Sequence, residues 1–178
     1  LFDTAAFSQA PSVIWSKVWS GAAAKDDYGV SCCSDGTGYL YVTGTTTTSS
    51  NYTDVVTIKY NQSTGDTVWI KTYGNSVKDE AGYGCCLSND GNLYVVGYAD
   101  IGTSQQDLQF LLLKYNAVSG ALVYSKNYGS PTGDEMGTSC AYDGANIYAT
   151  SRRYNGTNWL MVLFKFNSSG DTLWYRYN

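Results

Sequence analysis

The apolar positions of this chain come in short runs, each broken by Gly, Asp or Asn, and none follows a long helical period. Gly82 to Gly97 shows the unit most clearly. Its sequence, GYGCCLSNDGNLYVVG, reads as two short strands joined by an Asp-Gly turn at Asp90-Gly91. The same stretch occurs as GVSCCSDGTGYLYVTG from Gly29 to Gly44, and more loosely as GTSCAYDGANIYATS from Gly137 to Ser151. Behind each copy comes an apolar run ending in Lys and an aromatic: VVTIKYN to Asn61, FLLLKYN to Asn116, MVLFKFN to Asn167. A Gly-containing turn then leads into TVWIKTY, LVYSKNY or TLWYRYN, where alternation puts aromatic and basic side chains on one face.

The chain is therefore an internal repeat of three units, each of four antiparallel strands, over about 20–73, 74–128 and 129–178. One piece is left over. Val13 to Trp19 (VIWSKVW) matches the last strand of a unit, with Trp15, Lys17 and Trp19 on one face as Trp69, Lys71 and Tyr73 are, yet no unit precedes it. Residues 1–12, which include Pro11, match no part of the repeat and read as an N-terminal arm.

Four short meandering strands per unit of about fifty residues are the sign of a propeller blade. The order D-G-N-x-Y-V-x-G, then K-Y-N, then Gly, then Trp, resembles the secreted β-propeller repeats often called SBBP repeats, across residues 13–178. The resemblance implies a blade fold and an extracellular setting, and it brings no catalytic residues with it. Closed propellers need about four to eight blades, so three blades predict an open arc, all-β, with one surplus N-terminal strand. A three-fold β-trefoil also fits three units but leaves that strand unexplained.

Composition narrows the function classes. Seventeen Tyr, five Trp and nineteen Gly against two Pro suit many strands and tight turns. Only 15% of residues are charged and the net charge is −4, which argues against nucleic acid or anionic membranes as partners. No apolar run approaches the roughly 20 residues that span a bilayer. No signal peptide is visible; a mature form whose leader has been removed is compatible with an extracellular setting. Histidine is absent, which excludes His triads, His bases and His metal ligands. No catalytic residue, metal site or cofactor is assigned.

The five cysteines fall on repeat positions. Cys32, Cys85 and Cys140 share one position; Cys33 and Cys86 share the next, where the third unit has Ala141. Neighbours on a strand face opposite ways. If blades stack and the second cysteine points forward, Cys33 meets Cys85 and Cys86 meets Cys140, leaving Cys32 alone. The opposite orientation allows only Cys32 with Cys86. Disulfides at the first two pairs are expected; free thiols acting as small hydrophobes are the other reading.

Four sequons, at Asn51, Asn61, Asn155 and Asn167, fall in predicted loops and are the expected glycosylation sites. The acidic pairs Asp26-Asp27, Asp79-Glu80 and Asp134-Glu135 are read as turn and strand-entry residues. Lys59, Lys114 and Lys165 each precede an aromatic, and cation–π packing on a solvated sheet face is expected for them.

These features predict an extracellular or cell-surface, glycosylated structural protein that joins copies of itself head to tail into a filament or fibril. Its partners are further copies of the chain and covalent glycans. Val13, Trp15, Lys17, Trp19 and Trp174 are assigned to assembly, with the N-terminal segment expected to leave its own arc and add as an edge strand to a neighbour. The second reading is a carbohydrate- or protein-binding propeller module of a larger secreted assembly.

Overall fold

The computed structural model describes residues 13–75, 77–102, 107–130 and 133–177. Among them, twelve strands form three antiparallel sheets, and no helix is present. The first sheet runs β1 (Asp27–Ser34), β2 (Tyr39–Thr47), β3 (Thr53–Asn61), β4 (Thr67–Tyr73). The second runs β5 (Glu80–Leu87), β6 (Asn92–Asp100), β7 (Leu108–Asn116), β8 (Leu122–Tyr128). The third runs β9 (Glu135–Tyr142), β10 (Ile147–Tyr154), β11 (Trp159–Phe166), β12 (Thr172–Tyr177). Each sheet is a meander in sequence order, and the sheets do not close into a ring. This is the open arc of propeller-like blades that the repeat predicts.

Local chemistry repeats with the sheets. The predicted Asp-Gly hairpin turn closes with Gly91 at φ 77°, a left-handed conformation that suits glycine. The first strand of each sheet carries a bulge, seen in the second sheet as the register shift between Gly82 and Gly84. A Cβ on Gly97, opposite that bulge, would run into the Ala81 carbonyl, so the turn of the ladder there depends on a bare backbone. The loop after each third strand is built on an asparagine. The Asn116 carboxamide oxygen accepts the amides of Val118 (3.1 Å) and Ser119 (2.9 Å), and Asn61 and Asn167 do the same in their own units.

Apolar packing lies between sheets. Tyr41 and Val55 of the first sheet pack on Leu93, Leu111, Leu113 and Tyr115 of the second. The other face of that sheet, with Tyr94, Phe110 and Leu112, packs on Ile147, Val162, Phe164 and Phe166 of the third. The second sheet is thus covered on both sides, and this is why FLLLKYN reads as a continuous apolar run and not as an alternation. The first and third sheets each keep one face without a sheet against it.

On one point the structure departs from the expected elements. Val13–Trp19 pairs with no strand among the described residues. A lone strand forms no ladder without a neighbour whose amides and carbonyls face it. Within the single chain, Trp19 packs on the first sheet beside Val56, Ile58 and Tyr60.

Candidate assembly interface

The contact between sheets is made twice inside the chain, and its centre is a main-chain carbonyl. Ala117 O accepts three donors from the first sheet: Lys59 Nζ at 3.0 Å, Tyr41 Oη at 3.2 Å and Trp69 Nε1 at 3.4 Å. Ser168 O accepts the equivalent three from the second: Lys114 Nζ at 3.0 Å, Tyr94 Oη at 3.3 Å and Tyr124 Oη at 3.5 Å. Each carbonyl belongs to the residue after the turn asparagine.

Two of the three lysines therefore lie differently from the expectation, Lys165 being on the uncovered face of the third sheet. Lys59 and Lys114 are 5% and 9% exposed, buried between sheets and not on a solvated face. Cation–π contact is present, with Lys59 Nζ 4.0 Å from the Tyr39 ring centre and Lys114 Nζ 5.3 Å from that of Tyr94. Burial lowers the Lys59 pKa, against the opposing pull of Asp35. A buried ammonium is tolerated here because a carbonyl and ring faces replace its water.

Around this centre lie three further contacts. Toward the rim, Gly120 and Gly170 leave room for the outer strand of the preceding sheet: a Cβ on Gly120 would lie 2.7 Å from Lys71 Cε, and one on Gly170 2.9 Å from Tyr124 Oη. At the strand entries, Asp79 Oδ1 accepts the Thr53 amide at 2.9 Å and Asp134 Oδ1 accepts that of Leu108 at 3.1 Å, so in these two pairs one acid clips a sheet to the one before it. On the inner strands, Gly82 and Gly137 permit close approach; their Cβ atoms would meet Val55 and Phe110 at 2.9 and 2.8 Å.

The cysteines sit on these inner strands in the expected register. Cys33 faces Cys85, and Cys86 faces Cys140. All five are thiols in this structure. A hydrogen bond to Cys85 and burial both push the Cys33 thiol up; a hydrogen bond to Cys86 and burial do the same to Cys140. Cys32 is exposed.

At the two ends of the arc the same contact is half made. On the first sheet, Gln62 O is the equivalent carbonyl, and it receives Trp15 Nε1 at 3.0 Å. Trp15 and Lys17 lie over Gly65 as Trp69 and Lys71 lie over Gly120. Lys17 reaches Asp66 at 3.6 Å, as Lys126 reaches Asp171 at 2.8 Å. Residues 15–19 thus follow over the first sheet the course that β4 takes over the second. Beneath them an open groove of about 380 Å³ is lined by Trp15, Trp19, Gly29, Leu40, Val42 and Ile58. A Cβ on Gly29 would meet only Val42, at 3.6 Å, although Gly82 and Gly137 at the same repeat position are crowded.

On the third sheet the donor half is in place. Lys165 Nζ lies 5.2 Å from the ring centre of Tyr148 in its own sheet. Trp174 stands edge-on to Tyr148 at 6.1 Å, and Arg176 lies 5.5 Å from the Trp174 ring. Met161 on the same face is 74% exposed.

The sequon asparagines divide in two. Asn51 and Asn155 are exposed; the Asn51 side chain accepts from Lys25 Nζ at 2.6 Å, and Asn155 Oδ1 accepts the amides of Thr157 (3.0 Å) and Asn158 (2.8 Å). Asn61 and Asn167 hold the turns that Asn116 holds without any sequon, so their conservation of geometry needs no glycan. Comparison with protein-family models finds no match to this chain, and comparison with curated proteins finds none either.

Proposed function

We propose that this chain is a structural subunit, its repeats of the secreted β-propeller kind, which joins copies of itself head to tail outside the cell. One observation carries the reading. The arc ends in two unlike faces that are complementary halves of a contact already made twice within the chain. Tyr148, Lys165 and Trp174 correspond to the donors Tyr94, Lys114 and Tyr124; Gln62 O corresponds to the acceptors Ala117 O and Ser168 O. A head-to-tail contact of this type propagates as a filament unless its rotation closes a ring. Covering both ends would also hide apolar surface that soluble monomers seldom leave bare. Exposed Asn51 and Asn155 offer glycan sites away from the stacked faces.

Sedimentation and negative-stain imaging of the native chain against Gly29→Val test this. The side chain points into open groove in a single subunit, so folding is retained, whereas in a stack it meets the sheet of the neighbour. Fibres from the native chain and none from the variant are expected. A native chain that stays monomeric at high concentration overturns the reading.

A further inference from the structure

We propose that the outer rim of the first sheet, around Gln62 O, Gly65 and Asp66, is the docking position for strand Thr172–Tyr177 of a second copy, and that Trp15 and Lys17 hold it in cis. This rests on the head-to-tail reading and adds how the joint is made. In the repeat register, Trp15 and Trp174 claim one place, and Lys17 and Arg176 the next. Two occupants cannot share it, so assembly requires an exchange.

The structure indicates which occupant yields. β12 keeps a ladder with β11, from Val162–Tyr177 to Phe166–Thr172, and would have to break it to move aside. Residues 13–19 make no ladder. They are held by the Trp15 indole bond to Gln62 O, the packing of Trp15 and Lys17 on Gly65, and a 3.6 Å ion pair between half-exposed Lys17 and exposed Asp66. Ile14 and Val18 are 90% and 97% exposed, so the segment has little behind it. Releasing it loses a few side-chain contacts, and the incoming Trp174 and Arg176 restore contacts of the same kind.

The exchange stops at Trp19. Tyr73 and Tyr128 occupy the matching position of the internal contacts, packed on the cores of the next sheet. In the last repeat that position is Asn178, which lies outside the described residues and carries no ring to replace the indole. The following turn is also fixed, since the Gly21 amide donates to Asp27 Oδ2 at 2.8 Å. Trp19 therefore stays on Val56, Ile58 and Tyr60 as the hinge, and becomes part of the joint.

The two tryptophans should then act with opposite sign. In the full-length chain, Trp15→Ala, or independently Lys17→Glu facing Asp66, should lower the concentration at which fibres form, by about tenfold if the segment is docked nine-tenths of the time. Trp19→Ala should raise that concentration. Circular dichroism checks that each variant is folded, and adding Gly29→Val to Trp15→Ala should abolish the gain, which separates specific stacking from aggregation. If Trp15→Ala and Lys17→Glu assemble less readily than the native chain, the segment is an element of the joint and the exchange is wrong, although head-to-tail stacking stands. If neither the native chain nor any variant assembles, both fall.

Discussion

The ammonium of Lys114, in the second sheet, donates across 3.0 Å to the carbonyl of Ser168 in the third. A hydrogen bond from a charged donor to a buried carbonyl contributes roughly 1.5–3 kcal/mol. Lys114→Met keeps the stem but removes the charge, and should lower the unfolding free energy by about that amount. Lys165→Met alters the same repeat position at the open end. Denaturant unfolding should find the Lys165 variant close to the native chain in stability, while its fibres form at higher concentration. Equal destabilisation by the two substitutions would contradict the assignment of Lys165 to a joint between subunits.

The repeat of four strands was readable because side-chain alternation and Gly-Asp turns are local signals. The same holds for the cysteine register, which follows from two adjacent residues facing opposite ways. The carbonyls of Gln62, Ala117 and Ser168 left no trace, because any residue type supplies the same main-chain oxygen. Lys59 and Lys114 were placed on a solvated face for a related reason: the run VVTIKYN does not say which sheet will cover it. The ladder expected at Val13–Trp19 failed because side-chain pattern says what a strand can do, and pairing needs a neighbour.

Glu80 is 4% exposed and has Asp54, Asp79 and Asp100 nearby; burial, and then these acids, raise its pKa to about 7 against the opposing Asn75 amide. Its counterpart Glu135 has the guanidinium of Arg153 at 3.0 Å. Between the ordinary carboxyl pKa of 4.5 and about 7, the folded chain keeps a proton that the unfolded chain releases, so stability from this group falls as pH rises. The loss is complete above about pH 7 and is on the order of 3 kcal/mol. Thermal unfolding of Glu80→Gln should therefore show little change at pH 4 and a gain at pH 8. A stability difference from the native chain that does not vary with pH would refute this account of Glu80.

Oxidation should join Cys33 to Cys85 and Cys86 to Cys140, each bridge forming as two thiols give up two protons and two electrons to a disulfide oxidant such as oxidised glutathione. Each bridge closes a loop of about fifty residues, for which chain entropy gives at most roughly 4 kcal/mol. Peptide mapping without reductant should recover these two links and leave Cys32 unpaired within the chain. A Cys32–Cys33 or Cys32–Cys86 link would contradict the stacking register.

Glycan occupancy should follow exposure. Intact-mass and peptide analysis of material from a secreting host should find exposed Asn51 and Asn155 modified more fully than half-buried Asn61 and Asn167. The reverse order would show that exposure does not set occupancy here.

Head-to-tail stacking in the repeat register is tested most directly by Ala141→Cys. Ala141 occupies the forward position of Cys33 and Cys86, and exposed Cys32 the backward position of Cys85 and Cys140. In a stack, position 141 of one copy meets Cys32 of the next. Mild oxidation of this variant should give a reducible ladder of multimers on a denaturing gel, with mapped peptides joining Cys32 to position 141, while the native chain gives none through that link. A variant that remains monomeric under conditions where the native chain forms fibres, or that links 141 only to 141, would contradict the account.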